Sequence, residues 1–243
     1  MKLALELFKG TGSIGKALIA HGFHVDSLDM DPKCNATWTS DILAWDGWRQ
    51  IEPGTYDFIW ASPPCQQYSR ARATAKTPRN LELADSIVAR TLEIIRYLKP
   101  KGWLMENPQT GLLKTREVVE GLPYRDVCYC RYSDGERHMY RKQTRLWGFS
   151  HYFMPRELCT LKNPCAFSYQ TGRHPTCAQR FNPKCFVGTK HTLNELYSMP
   201  EQLCNDIALA ATRLVDYYNE IESIPPFCGR SVVSLNHQFP EDN

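Results

Sequence analysis

The sequence predicts an α/β chain with a Rossmann-like, mixed and mostly parallel sheet, and three observations predict it. The apolar run Leu3 to Phe8 is followed by the glycine-bearing loop Lys9-Gly10-Thr11-Gly12-Ser13, then by a helical stretch from Ile14 to Ala20 that stops near Gly22. Further short apolar runs each end in polar or reactive residues, the layout of a site assembled along one sheet edge. The run Tyr56 to Ala61 leads directly into Ser62-Pro63-Pro64-Cys65-Gln66, a rigid double-proline turn that presents a thiol where open α/β sheets collect their ligands.

Each element can be justified in order. A second strand, Phe23 to Leu28, ends at Asp29-Met30-Asp31-Pro32, and a third short one, Ala36 to Thr39, ends at Ser40-Asp41-Ile42. The fourth precedes Cys65. From Leu81 to Leu98 the apolar residues Ala84, Ile87, Val88, Leu92, Ile95 and Leu98 follow helical spacing, and Lys99-Pro100-Lys101-Gly102 stops the helix. A fifth strand, Trp103 to Met105, delivers Glu106-Asn107-Pro108. Two more, Asp126 to Arg131 and Thr144 to Phe149, flank a polar, charge-dense loop. Residues 151–197 change character, with four cysteines, four prolines and no sustained periodicity, and read as a small irregular insert. Helical spacing returns from Pro200 to Asn219, with Leu203, Ile207, Ala210, Ala211, Leu214 and Tyr218 on one face. The expected division is a catalytic core at 1–150, the insert at 151–197, a helix returning to the core at 198–222 and an extended tail at 223–243.

A chain of 243 residues accommodates one sizeable domain and a small appendage. Its 42% apolar and 23% charged residues are ordinary for a globular protein. The net charge of +3 says little, but its distribution says more. Residues 66–80 carry Arg70, Arg72, Lys76 and Arg79 with no acid, and residues 151–195 carry six basic residues against Glu157 and Glu195. Such stretches suit a polyanionic partner, or simply form a solvated surface. The N-terminal apolar run is broken by Glu6, so no secretory signal is read, and no apolar stretch approaches a membrane span. An intracellular, non-secreted protein is expected, in which the ten cysteines serve as thiols, ligands or nucleophiles.

Phe8-Lys9-Gly10-Thr11-Gly12, Pro63-Pro64-Cys65-Gln66, Glu106-Asn107 and Arg141-Lys142-Gln143-Thr144-Arg145 stand in the order and spacing of the cytosine-5 DNA methyltransferases. The chain resembles that family from Leu3 to about Val215, and its compact phage and viral type in particular, with Glu-Asn-Pro for the more usual Glu-Asn-Val and Tyr129-Cys130-Arg131-Tyr132 before the basic segment. Cytosine is too electron-rich at carbon 5 to take a methyl group directly, so a nucleophile must first add at carbon 6. A thiolate does this well once its pKa falls below the ordinary value of about 8.5. The resemblance implies that Cys65 is that nucleophile and that Glu106 contacts ring nitrogen N3, burial raising its pKa so that it can donate.

The resemblance also implies an S-adenosylmethionine site formed by Phe8, Gly10, Thr11, Gly12, Asp29, Met30, Asp41, Ile42 and Pro63. Asp29 would accept from ribose hydroxyls, Met30 would pack on the adenine and Asp41 would accept from its amine. The alternative is that these acids are turn formers, and Asp31 stays undecided. Ser13 stands where the family has a last glycine, and Arg141-x-Gln143-x-Arg145 stands for its Gln-x-Arg-x-Arg. Arg145 is expected to meet the flipped base or its phosphate. Double-stranded DNA is the expected partner, contacted by Gln66, Arg70, Arg72 and Arg141, with the target base turned out of the stack. The insert occupies the place of the target-recognition domain, and its small size predicts a short recognition sequence or loose specificity. Within it Cys159, Cys165, Cys177 and Cys185, with His174 nearby, offer a structural zinc site, or are unligated thiols. Rival readings are an RNA cytosine-5 methyltransferase and a catalytically silent nucleic-acid-binding protein of the same fold.

Overall fold

The computed structural model describes residues 1–70, 72, 75–149, 152–169, 172–178, 181–182 and 189–223. Seven strands form one sheet: β1 (Lys2–Leu7), β2 (Phe23–Asp29), β3 (Trp38–Thr39), β4 (Phe58–Ala61), β5 (Gly102–Pro108), β6 (Tyr124–Cys128) and β7 (Gln143–Phe149). A separate ribbon pairs β8 (Phe181–Asn182) with β9 (Thr189–Lys190). The helices are α1 (Ser13–Ala20), α2 (Leu81–Leu98), α3 (Ala166–Tyr169), α4 (Leu193–Tyr197) and α5 (Glu201–Ser223).

The sheet order is β3-β2-β1-β4-β5-β7-β6. Strands β1 to β5 pair in parallel, and β7 runs antiparallel to both β5 and β6. The predicted mixed, mostly parallel α/β sheet is therefore present. The order changes direction between β1 and β4, which makes the crevice at their C-terminal ends the topological switch point where ligands bind in such sheets.

Successive strand residues face opposite sides, and two cores result. On one side Ala4, Phe58, Trp60, Leu104 and Leu146 meet Ile14 and Leu18 of α1 and Leu203, Ile207 and Ala211 of α5. On the other, Leu5, Leu7, Ile59, Ala61, Trp103 and Met105 meet Val88, Leu92, Ile95 and Leu98 of α2. At roughly 2 kcal/mol per buried aliphatic side chain, these faces hold the helices more firmly than intrinsic propensity does. The α2 helix has the bounds its periodicity predicts, because both ends are capped. The Asn80 side chain accepts from the Leu83 N–H at 3.0 Å, and Lys99 adopts φ 48° just before Pro100.

Two of the boundaries that differ from expectation bear on the site. Strand β5 runs on through Glu106, Asn107 and Pro108, which pair with Leu146, Arg145 and Thr144 of β7, a partner the local sequence does not reveal. Strand β6 stops at Cys128, because Tyr129–Arg131 wind into a 3-10 turn.

The insert packs back on the core through Phe153 and through Arg156, whose guanidinium lies 4.5 Å over the Tyr132 ring and pairs with Asp206 at 3.3 Å. Its cysteine cluster is not the expected set. Cys159 and Cys165 gather with His174 and with Cys130, which belongs to the turn after β6. Cys177 lies outside that group, and Cys185 falls outside the described residues, as does the expected tail from 224 onward. Reading cysteine spacing within the insert alone missed Cys130, because the fold brings it in from the core. Among the described residues no helix is long and apolar enough to cross a membrane.

Candidate active site

Strand β4 is wholly buried, and the Ser62 N–H still donates to the Leu7 carbonyl at 3.2 Å before two donor-less prolines turn the chain out of the sheet. Half-buried Cys65 follows this turn. The turn is pinned from three directions. Asn107 Nδ2 donates to the Pro63 carbonyl at 2.9 Å, Trp60 Nε1 to Ser62 Oγ at 2.7 Å, and the Tyr68 N–H to the Cys65 carbonyl at 3.0 Å. Tyr68 is fully buried and donates to Asp85 at 2.8 Å, while Arg116 clamps the other oxygen of Asp85 at 2.6 and 2.9 Å. The thiol thus sits on a loop anchored by polar contacts on every side.

Glu106, from the neighbouring strand end, lines the same cavity of about 780 Å³ as Cys65. Burial raises its pKa, and the Lys142 charge and the Thr144 and Tyr129 hydroxyls pull it part of the way back. Glu106 Oε1, Asn107 Oδ1, the Tyr129 hydroxyl and Thr144 Oγ1 are buried with no well-formed hydrogen bond to any described residue. Such orphans are rare and each costs about 1–3 kcal/mol. Of the four residues Glu106 lines the cavity, where an incoming polar ligand can supply the partner that Oε1 lacks, while Tyr129 and Thr144 stand behind it.

The Cys65 thiol is not activated in the way the chemistry alone suggests. Burial and the Glu106 carboxylate raise its pKa, and the Lys142 charge and a backbone hydrogen bond oppose them. The charge state of Glu106 therefore controls the thiol. A neutral Glu106 removes one of the two penalties, so that burial alone is left against Lys142 and the backbone hydrogen bond.

At the other end of the cavity lie the ends of β1, β2 and β3. Phe8 takes φ 62°, and Gly10 and Gly12 follow at φ 49° and 64°, so the chain leaves β1 through a run of left-handed residues. Asp29 holds this loop by accepting from the Gly10 N–H at 2.8 Å, and its other oxygen accepts from the Asp31 N–H at 2.8 Å. Asp41 accepts from the Leu43 N–H at 2.9 Å and lines the cavity beside buried Ile42. Met30 is 68% exposed at the cavity wall. Phe8, Gly10, Thr11, Asp29, Met30, Asp41, Ile42 and Pro63 all line this space, together with Cys65, Gln66 and Glu106. The donor set fits S-adenosylmethionine: carboxylates with spare lone pairs for hydroxyls and an amine, apolar side chains for a base, and glycine backbone open to close approach.

A profile of the C-5 cytosine-specific DNA methylase family matches residues 3–120. A probable DNA (cytosine-5)-methyltransferase of Frog virus 3 is 36% identical over 172 residues, covering 66% of this chain and 76% of the viral protein. The chain belongs to the C-5 cytosine-specific DNA methylase family. By family it is a DNA (cytosine-5)-methyltransferase. Two solved structures are similar at lower identity. One is the Entamoeba histolytica methyltransferase EhMeth, at 14% identity, TM-score 0.47 and coverage of 91% of this chain and 99% of that one. The other is a putative DNA modification methyltransferase encoded within an Escherichia coli prophage, at 16% identity, TM-score 0.46 and coverage of 70% of this chain but only 55% of that one. The family assignment rests on the sequence matches alone.

Several residues that the family resemblance singled out lie away from the cavity of this methylase. Arg145 shares a face of β7 with Trp147, binds Asp126 at 2.7 and 3.0 Å and stacks 3.5 Å over Tyr124. Thr144 and Leu146 face the Glu106 side instead, so strand parity turns Arg145 away. Arg141 is exposed and lies toward Cys128 and His174. Arg72 donates to Thr77 Oγ1 at 2.8 Å and the Pro78 carbonyl at 3.0 Å, and so ties its own loop together. Arg70 is exposed beyond the cavity wall. Gly12 does not line the cavity either. It turns the chain into α1, and a side chain there would be strained by φ 64° even though a Cβ finds room. Ser13, the departure from the family's glycine, accepts from the Met199 N–H at 3.3 Å and so ties the loop to the chain just before α5.

Three lining or supporting residues escaped the sequence reading. Lys142 precedes β7, lines the cavity and lies 4.5 Å over the Tyr129 ring, and the alternating-arginine pattern had drawn attention past it. Asn107 joins the two reactive strand ends. Glu6 is 3% exposed on the cavity floor and accepts from the Gly15 N–H at 3.1 Å, and burial raises its pKa from 4.5 to about 7. A Cβ at Gly15 would lie 2.4 Å from Glu6 Oε2, so any side chain there would displace the Glu6 carboxyl. A lone acid inside Leu3-Ala4-Leu5-Glu6-Leu7 was the signal that could have found Glu6.

Proposed function

We propose that this family member transfers a methyl group from S-adenosylmethionine to carbon 5 of a cytosine flipped out of double-stranded DNA, through a transient covalent bond to Cys65. The observation that carries the reading is the meeting in one cavity of Cys65 and of Glu106, whose buried Oε1 has no hydrogen-bond partner among the described residues. An extruded cytosine supplies a donor to such an oxygen.

Glu106 engages the cytosine at N3 and shares its proton there. With that carboxyl no longer a free anion, Cys65 ionises more readily beside Lys142 and its sulfur adds to carbon 6. The electrons of the carbon 5–carbon 6 double bond move toward carbon 5 and the N3 side of the ring, where the proton from Glu106 neutralises them. Phe8, Gly10, Thr11, Asp29, Met30, Asp41, Ile42 and Pro63 would hold S-adenosylmethionine, which would supply an electrophilic methyl group and leave as the thioether S-adenosylhomocysteine. Once carbon 5 carries the methyl group, its proton passes to solvent water, the electron pair it leaves re-forms the carbon 5–carbon 6 double bond as the sulfur–carbon 6 bond breaks, Cys65 returns as thiolate and the N3 proton returns to Glu106. Asn107 and Tyr68 keep the Cys65 turn in register through these steps.

Gln66 at the cavity wall and exposed Arg70 beyond it are the residues of the following loop that meet the DNA strand. Residues 1–150 form the catalytic core and 198–222 the returning helix. Residues 151–197 read the sequence around the target, and their small extent supports a short recognition site. The test is transfer of labelled methyl from S-adenosylmethionine to cytosine-containing duplex DNA, with an RNA of the same sequence in parallel. Label in DNA 5-methylcytosine is the expected result, and label confined to RNA, or in neither polymer, contradicts the proposal.

A further inference from the structure

The cluster formed by Cys130, Cys159, Cys165 and His174 plays no part in the chemistry above, yet it is the best-organised feature outside the cavity. One ligand atom from each residue lies within 4.8 Å of the others. The His174 Nε2 is 3.6 Å from Cys159 Sγ and 3.3 Å from Cys165 Sγ. A tetrahedral zinc ion with bonds of about 2.3 Å to sulfur and about 2.0–2.1 Å to nitrogen has sulfur–nitrogen edges of about 3.6 Å. The thiols and imidazole therefore already stand close to the corners of a metal tetrahedron. Each of the three cysteines is 2% exposed, and none is in a disulfide.

The surroundings match a metal-ligand shell. The Cys165 N–H points at Cys159 Sγ at 3.3 Å, and Ser168 Oγ lies 3.8 and 3.6 Å from Cys159 and Cys165. Donors aimed at sulfur stabilise thiolates and fix them for a cation. The link between the two cysteines is a tight turn, in which the Thr160 N–H donates to the Asn163 carbonyl and the Asn163 N–H to Thr160 Oγ1, both at 3.0 Å. Arg131 grips this turn from the core side through the Leu158 and Asn163 carbonyls. Among the described residues the apolar nucleus around it is thin: the four cysteines Cys128, Cys130, Cys159 and Cys165 pack with Leu158 and Phe167. Small folds lacking a core are held by a metal in this way.

We propose that Cys130, Cys159, Cys165 and His174 bind one zinc ion that staples the insert to the end of β6. Four protein ligands close the coordination shell, so the site is structural and holds no reactive water. Binding releases the protons of the ligating thiols to solvent. Cys130 follows Tyr129, whose hydroxyl approaches Glu106, so the ion fixes the insert and the turn that stands behind Glu106 by the same bond set.

The test is metal analysis of the full-length protein purified without chelator. One zinc per chain is expected, falling to near zero in Cys159→Ala and His174→Ala and staying near one in Cys128→Ala, whose sulfur neighbours Cys130 without joining the four-atom group. Because a ligand variant can fail to fold, wild-type protein loaded with cobalt provides an independent reading, with ligand-field bands of a tetrahedral thiolate–imidazole site expected. Wild-type protein that carries no zinc even after growth and refolding with it, that carries iron instead, or that gives an octahedral cobalt spectrum overturns the proposal. So does full zinc retention in a folded His174→Ala variant.

Discussion

The two ends of the cavity are built on opposite principles. At the β1–β2 end the acids Asp29 and Asp41 are partly or fully exposed, and each already accepts a backbone N–H that holds a loop in shape. At the β4–β5–β7 end Glu106 is buried with its Oε1 unpartnered, and the Tyr129 and Thr144 hydroxyls approach it from inside the fold. The first end is complete without a ligand and has only to present its spare lone pairs. The second stores the cost of desolvation, which falls due unless a polar ligand arrives. Binding a cofactor used at every turnover suits the first design, and coupling chemistry to the arrival of the right base suits the second.

If that contrast is right, substitutions at the buried end act on rate and those at the exposed end on affinity. The largest effect is expected from Glu106→Gln, which should lower kcat by about 10²–10⁴-fold, the usual contribution of a positioned acid, with a much smaller change in cofactor affinity. Since the Glu106 carboxylate raises the Cys65 pKa, the same variant should move the pH midpoint of Cys65 alkylation downward, whereas Lys142→Met should move it upward. Opposite shifts would break the electrostatic account of the thiol.

Glu6 tests whether burial on the cavity floor costs stability. Its folded pKa of about 7 exceeds the unfolded 4.5, so the folded state holds the extra proton between these values and loses stability as pH rises through that window. Glu6→Gln should therefore be more stable than wild type at pH 8 by on the order of 3 kcal/mol, and by much less at pH 4.5, in denaturant titrations at the two pH values. Next in size, Arg145→Met should cost about 2 kcal/mol of unfolding free energy through its lost charged hydrogen bonds to Asp126 while leaving S-adenosylmethionine affinity unchanged. Smallest, Asp29→Ala should weaken S-adenosylmethionine binding by roughly tenfold in calorimetry, the worth of one hydrogen-bonding carboxylate, with kcat at saturation nearly intact.

Most of the fold was legible because it is written in local pattern. The glycine loop, the double-proline turn and the α2 periodicity each depend on residues adjacent in sequence. The full length of β5 was not legible, because Glu106 and Asn107 are strand residues only by virtue of pairing with β7. The arginine segment misled for a related reason. Which of Lys142 and Arg145 faces the cavity is set by where β7 begins, and a shift of one residue reverses every side chain. The cysteine–histidine cluster was legible except for Cys130, since its other three members lie in the insert.

The central claim is that Cys65 adds to cytosine with Glu106 assisting from the same cavity. The most direct measurement is to incubate the protein with S-adenosylmethionine and duplex DNA carrying 5-fluorocytosine, whose fluorine blocks release, and to look for a denaturation-resistant protein–DNA band. A band with wild type that is absent in Cys65→Ser and formed far more slowly in Glu106→Gln is the predicted result. A band that survives Cys65→Ser, or an active wild-type enzyme that never forms one, would contradict it.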